Sequence, residues 1–431
     1  MSRVILVLFF CAVPLAAGAQ IDGSVSVMFD VLPDVSDADG RQDVTELRAR
    51  VFAERRQDIG ARVRIYASGY VDGLLARRVD GVGAAGAVPG AAPVRRRVGD
   101  AIARPGELYV DVVSRHADLR AGMARVVWGR LDELQPTDVV NPIDLTRFLL
   151  EGRSEARLPV ALVRGRLFLP GSSTLEALVV PVFRRSEFDQ LDERTSPFDI
   201  AGAATDLDRR TPAVSWRNLQ GGGRFTTTIG RVDVGVSGYR GFRSFPLIAV
   251  PPSSLQPVQT YPRFTTVGGD FETVRGAWGV RGEAAVTPRD LLQSTRAVAG
   301  VPGHAVEAGI GVDRRTGDYR IAGNVLWSRR RVDESTPAGR LFAGDDELER
   351  SGVSIVGSVD RRFARETRAL RVLGVYDPGD RTVFARTILD VSLRDNVSLE
   401  GSAGVFAGSS FDTIGRLTRR DFLYVRLKTF F

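Results

Sequence analysis

From Asp22 to the C-terminus, apolar residues return at every second position in segments of roughly ten residues, separated by Gly, Pro, Asp and Ser clusters. Leu47, Ala49, Val51 and Ala53 alternate with Glu46, Arg48, Arg50, Phe52 and Glu54. Val63, Ile65 and Ala67 alternate in the same way with Arg62, Arg64, Tyr66, Ser68 and Tyr70, and Tyr319, Ile321, Val325 and Trp327 with Arg320, Asn324 and Ser328. Side chains in a strand point alternately to opposite faces, so each segment is a strand with one greasy and one wet side. No helical period is sustained comparably along the chain.

Alternation alone does not say which side faces in, because a soluble sandwich gives the same period with the greasy side inward. Here the apolar face is rich in Ala, Gly and Val, and its aromatics sit near segment ends, which suits a lipid-facing band with aromatic edges better than a bulky core. The chain begins with Arg3, an apolar run over residues 4–15 and the small residues Ala17-Gly18-Ala19, the pattern of a secretory signal at 1–19. At ~1.5 Å per residue that run is too short to span a bilayer as a helix. Cys11, the single cysteine, falls inside it, so the exported part, residues 20–431 read as one barrel domain, has neither disulfides nor thiolate metal sites. Arginine supplies all the basic residues but Lys428, and both charge signs are spread along a chain of net charge +7, which does not indicate nucleic-acid binding.

At the C-terminus Leu423, Val425, Leu427 and Phe431 alternate with Tyr424, Arg426 and Lys428. This resembles the last strand of Gram-negative outer-membrane barrels, whose terminal Phe the barrel-assembly machinery reads; Thr429 departs from that pattern. If the last strand ends in the periplasm, connections must alternate between long outside and short inside. Residues 33–42, 79–105, 129–155, 184–220, 242–262, 288–303, 330–348 and 409–418 fall outside, with a tight connection at 377–380. Residues 56–60, 114–118, 170–172, 313–317, 361–366 and 394–396 fall inside. The expectation is a closed antiparallel all-β transmembrane barrel of about 18 strands, within a range of 16 to 20.

A barrel of that size leaves an aqueous lumen unless a loop or plug fills it. The inward set contains Arg48, Arg50, Arg62, Arg64, Arg164, Arg166, Arg281, Arg320, Arg386 and Arg426, with Glu46, Glu54, Glu283, Asp360, Asp390 and Glu400 among them. Free guanidinium groups would favour anions; paired ones would only stiffen the wall. The segment from Trp128 to Phe148 reads as a folded loop: Asn141 as N-cap, Pro142 in the first helical position and Asp144 near the positive end give a short helix over 142–151 anchored by Leu145, Phe148 and Leu149.

Trp128, Gly129, Asp138, Asn141, Pro142 and Asp144 carry a Trp-Gly, Asp, Asn-Pro-x-Asp pattern that resembles a porin-like family of Gram-negative outer-membrane barrels of largely unassigned function, with the wider match covering residues 46–183. By that analogy the loop either folds inward, placing Arg130, Asp132, Asp138, Asp144 and Arg147 at a constriction, or caps the outer rim.

The leading functional expectation is a channel for small solutes with mild anion preference, working without cofactor or metal. Outer-membrane lipid, lipopolysaccharide, the assembly machinery and a possible homo-oligomer are its expected partners. A transporter of apolar, aromatic or lipid-like molecules along Phe52, Leu326 and Phe384, and a structural or adhesion barrel acting through its long loops, are the alternatives. Hydrolytic enzymes are disfavoured because the two histidines, His116 and His304, have no partner motif. Asp34, Asp37, Asp39 and Asp43 lack the spacing of a calcium loop and read as a solvated turn.

Overall fold

The computed structural model describes residues 21–37, 40–80, 95–187, 207–250, 256–293, 297, 299–408, 415–418 and 420–431. The signal segment with Cys11, most of the 79–105 loop and residues 188–206 of the 184–220 loop lie outside the described residues, as do the side chains of Asp34, Asp37, Asp39 and Asp43.

Eighteen strands form one antiparallel sheet. In chain order they are β1 (Ile21–Asp37), β2 (Gly40–Ile59), β3 (Val63–Asp80), β4 (Arg95–Val113), β5 (Ala117–Ala124), β6 (Val160–Leu169), β7 (Ser173–Val180), β8 (Gln220–Ile229) and β9 (Val232–Phe242). They continue with β10 (Arg263–Arg275), β11 (Trp278–Leu292), β12 (Val301–Thr316), β13 (Tyr319–Val332), β14 (Ser351–Phe363), β15 (Arg368–Asp377), β16 (Thr382–Arg394), β17 (Val397–Ala407) and β18 (Phe422–Phe430). The sheet closes because β1 pairs with β2 on one edge and with β18 on the other, from Ser24 opposite Phe430 to Val31 opposite Leu423. Phe431 completes the seam: its N–H donates to the Gly23 carbonyl (3.1 Å) and its carbonyl accepts from the Gly23 N–H (2.9 Å). Closure leaves no ladder edge unpaired, which hydrocarbon demands because it offers no substitute hydrogen bonds.

Connections of two to four residues, at 60–62, 114–116, 170–172, 230–231, 276–277, 317–318, 364–367 and 395–396, lie at one end of the barrel, and the long ones, with the tight 378–381 connection, at the other. The 33–42 loop is shorter than the sequence suggests, since β1 and β2 run on until only residues 38–39 separate them. The outward positions are apolar and exposed, among them Leu47, Val51, Ile321, Val325, Val405, Leu423 and Val425. Exposed Trp278 and Tyr319 stand beside short turns, and Trp327 and Tyr376 toward the long-loop end, so aromatics mark both borders of the band.

The barrel also has a core on its inside. Met28, Leu32, Val44, Phe384, Phe406, Phe422 and Tyr424 from the wall bury Leu145, Leu149 and Leu150 of the connection between β5 and β6. Ala124, Val126, Trp128 and Val140 pack with Val160, Leu162, Leu178, Val180, Tyr239 and Phe264 in a second cluster.

Candidate functional site: the lumen and its inserted loop

Residues 125–159 leave β5, cross the lumen and return to β6. The crossing begins at Trp128, whose indole N–H donates to Glu176 of β7 (2.7 Å) while its ring lies so close to β8 that a Cβ at Gly222 would come within 3.0 Å of it. Gly129 follows with φ +92°, and any Cβ there would meet the Glu283 carboxylate at 2.7 Å. That carboxylate, buried on β11, accepts hydrogen bonds from the backbone N–H of Arg130, of Leu131 (2.6 Å) and of Thr137 (3.4 Å), and from the Thr137 hydroxyl (3.0 Å). One wall carboxylate thus satisfies several donors of a turn that has no sheet or helix to satisfy them.

Charge holds the arm beyond this point. Arg130 donates to Asp270 (2.6 Å) and Glu272 (2.9 Å) of β10. Asp132 accepts from Arg281 of β11 (3.1 Å) and Arg320 of β13 (3.4 Å), and Glu133 from Arg371 of β15 (2.9 Å).

The loop then turns back on itself. Arg157 pairs with Asp138 (2.8 Å) and donates to Gln135 (2.6 Å). Asn141 bridges its two arms, accepting from the Val126 N–H (2.8 Å) and donating to the Leu158 carbonyl (2.7 Å). This changes the expected helix. With the Asn141 side chain committed to the bridge and the Pro142 carbonyl paired with the Leu158 N–H (2.8 Å), the helix α1 (Leu145–Glu151) starts three residues later than 142, and Asp144 rather than Asn141 is its N-cap, accepting from the Arg147 N–H (3.1 Å). A four-residue helix α2 (Arg153–Ala156) follows Gly152, whose φ is +94°.

At the C-terminal end of α1 the Leu149 carbonyl accepts from Arg386 of β16 (3.0 Å), and the Leu150 carbonyl accepts from Arg386 and from the Tyr424 hydroxyl (3.0 Å for the latter). These are carbonyls that a helix leaves without intrahelical partners. Glu151 joins the wall through Arg50 (3.2 Å) and Arg426 (3.4 Å) and is also bonded by Arg147 (3.1 Å). Burial by itself would raise the Glu151 carboxyl, but Arg50, Arg147 and Arg426 outweigh it and hold the group well below the ordinary carboxylate range.

The other arginines of the inward set fall into three groups. Arg48 pairs with Glu46 (2.9 Å for Nε), Arg50 also with Asp72 (3.0 Å for Nη2), Arg166 with Asp118 (3.0 Å) and Arg426 with Glu400 (2.8 Å), so these guanidinium groups meet wall carboxylates. Arg164 is buried in the wall of β6, and Arg386 caps α1 instead of facing open space. Arg62 corrects the alternation carried past a strand end: it lies exposed in the 60–62 turn, and Arg64 beside it pairs with Asp58 (3.0 Å) at the same rim. Phe384, one of the three residues of the expected apolar path, is buried against α1 and stacks on Phe406 at 4.6 Å. His116 lies in a short turn, and His304 stands opposite Arg331 in the ladder.

Below the loop, toward the short turns, remains a cavity of about 790 Å³. Its lining includes Trp128, Arg130, Asp132 and Glu133 of the loop and Phe168, Glu176, Arg224 and Arg281 of the wall. The arrangement is a wet compartment with fixed, paired charges of both signs.

The fold comparison agrees with this architecture. Residues 103–316 match the model of a family described as a protein of unknown function, DUF1302. No curated protein matches the chain in sequence. Among solved structures it is similar to OccK7 (OpdD) of Pseudomonas aeruginosa, with a TM-score of 0.52 and 12% identity over 96% of this chain and 99% of that one. OccAB3 of Acinetobacter baumannii aligns with a TM-score of 0.49 at 6% identity over 96% and 100% of the two chains, and a BenF-like porin of Pseudomonas fluorescens Pf-5 with 0.48 at 9% over 96% and 98%. At such identities the likeness is one of fold, a porin-like barrel.

Proposed function

We propose that the chain is an outer-membrane channel for small solutes, exported by residues 1–19 and folded as a single barrel over 20–431, in which residues 125–159 narrow the path. The observation that carries the reading is the insertion of that loop across an 18-stranded barrel, with a cavity of about 790 Å³ kept beneath it. A purely structural barrel has no need to keep such a polar compartment, and an apolar carrier would expose Phe384 to its path instead of burying it. The long-loop end faces outward and the short turns face the periplasm, as in porins. Small solutes pass the loop flank, and the arginines lining the cavity outnumber its carboxylates by seven to five. Asp138 and Asp270, paired with Arg157 and Arg224, match that excess of two in number but stand behind the lining, farther from the path, so the preference for anions is mild.

Planar-bilayer recording of the purified, heat-modifiable barrel tests this. Discrete conductance steps with a reversal potential displaced modestly toward the anion potential in a salt gradient are expected. A folded preparation without steps contradicts the channel, and steps with cation preference contradict the selectivity alone.

A further inference from the structure

The outer face of the barrel carries a row of arginines. On β9 to β11 the outward positions Val236, Val267 and Val286 are 59%, 53% and 43% exposed, as lipid-facing residues should be. Toward the long loops this band gives way to charge. The register places Arg240 opposite Thr265 and Thr265 opposite Arg289. Arg289 sits in the bulge between Thr287, opposite Ala305, and Asp290, opposite Gly303, hence beside His304, which stands opposite Arg331. Arg240, Arg289, His304 and Arg331 are all exposed. The row therefore crosses five adjacent strands along the ladder, in the half of each strand nearer the long loops. Asp333 lies near His304, and the permanent positive charge of the row is carried by Arg240, Arg289 and Arg331.

At one end the row deepens. Arg263 stacks on the Phe242 ring at 4.3 Å and donates to the carbonyls of Arg217 (2.6 Å) and Leu219 (3.2 Å), which fixes the 216–218 turn to the rim. Arg217, Arg240 and Arg263 then line a hollow of about 500 Å³ with Val179, Leu219 and Gln220. Trp216 beside it is 89% exposed. Lumen arginines such as Arg50, Arg130 and Arg281 meet carboxylates, whereas among the described residues no ion pair is formed by Arg217, Arg240, Arg263, Arg289 or Arg331.

We propose that this row and hollow bind the phosphorylated headgroup of an outer-leaflet glycolipid, the lipopolysaccharide of the surrounding membrane. Unpaired guanidinium groups at the border of hydrocarbon and water seek an anion at that depth, and phosphate fits their forked donors. Neighbouring strands lie ~4.8 Å apart, so Arg240 and Arg289, two strands apart, are about 10 Å apart along the row, as are Arg289 and Arg331, within reach of one multiply phosphorylated headgroup. Acyl chains descend over the valines below, and Trp216 sits at headgroup level, where indole rings are favoured. The inference rests on the membrane placement given above, not on conduction.

The test compares diphosphorylated lipid A, the same lipid with its phosphates removed, and inorganic phosphate as ligands of the purified barrel in detergent. Wild type is expected to prefer the phosphorylated lipid by about tenfold or more. R240Q/R289Q and R289Q/R331Q, which change only exposed side chains and keep Arg263 on its carbonyls, are expected to lose that preference while staying heat-modifiable. R361Q, at the short-turn end, is expected to keep it. Equal affinity for the two lipids, or an undiminished preference in both double variants, overturns the proposal. Displacement of the lipid by millimolar inorganic phosphate overturns it as well, because the site is then one for a free anion. Conductance is read separately, so silence in a bilayer with intact lipid preference would reject the channel and leave this site standing.

Discussion

The two walls that grip the inserted loop do so by different physics. On the β16 to β2 side, α1 is seated in grease: Leu145, Leu149 and Leu150 lie among Phe384, Phe406, Phe422 and Met28, and charge enters only at the helix end through Arg386 and Glu151. On the β10 to β13 side the arm carrying Arg130 and Asp132 touches the wall through Asp270, Glu272, Arg281 and Arg320, with the buried carboxylates of Glu283 and Asp270 as its anchors. An apolar seat is indifferent to salt and intolerant of lost volume. A polar seat tolerates change at its wetted ion pairs and fails where a buried acceptor is removed. Under the channel function proposed above, the arm is the side that sets what passes, and α1 the side that keeps the loop in place.

The sharpest way to break this contrast is Glu283→Ala. It leaves the N–H groups of Arg130, Leu131 and Thr137 without their acceptor, at a cost of about 1–3 kcal/mol for each that stays buried. The arm is expected to leave the wall, and single-channel conductance to rise severalfold with the barrel still closed. On the other wall, Leu149→Ala removes volume from the apolar seat and should cost ~2–5 kcal/mol of loop docking. Limited proteolysis should then cut within residues 145–156 at a protease concentration that leaves wild type intact.

Arg281→Gln sharpens the comparison with a smaller change. Its guanidinium meets Glu272, Asp132 and Asp313, and it is 19% exposed beside carboxylates that are more exposed or comparable. The expected result is lower anion selectivity at low ionic strength, fading in concentrated salt, with no loss of stability beyond ~1 kcal/mol. The smallest effect is expected from pH. Because Glu151 titrates below its ordinary value of 4.5, its contribution is complete above that value and is lost only as pH falls through the lower folded value. Protection of residues 145–156 from proteolysis should stay constant from neutrality to about pH 4.5, and a loss of protection between pH 5 and 6 would place the three arginines away from Glu151.

Much of the architecture was legible because strand alternation and turn residues are local. Segments such as Glu46 to Glu54 reveal their faces from alternation alone, and the order of long and short connections follows from chain direction. The lumen was less legible. Arg371 and Glu133 are 238 residues apart, and nothing local joins them. Nor does a glycine on the wet face, such as Gly222, announce that an indole will lie over it. The helix start failed for a related reason. Asn141 followed by Pro142 satisfies every local rule for a cap, yet its amide is spent on Val126 and Leu158, a tertiary demand that outweighs the local preference. Arg62 failed where the period itself ended, at a turn.

The measurement that tests the loop's place most directly is a crosslink between Glu133→Cys and Arg371→Cys in the barrel of residues 20–431, a stretch of sequence that contains no cysteine of its own. A short bifunctional thiol reagent should join the two positions within single folded molecules in high yield, and the joined barrel should keep the wild-type conductance. If the pair stays unjoined in heat-modifiable protein while both thiols react singly, the loop caps the rim instead of crossing the lumen, and the account fails.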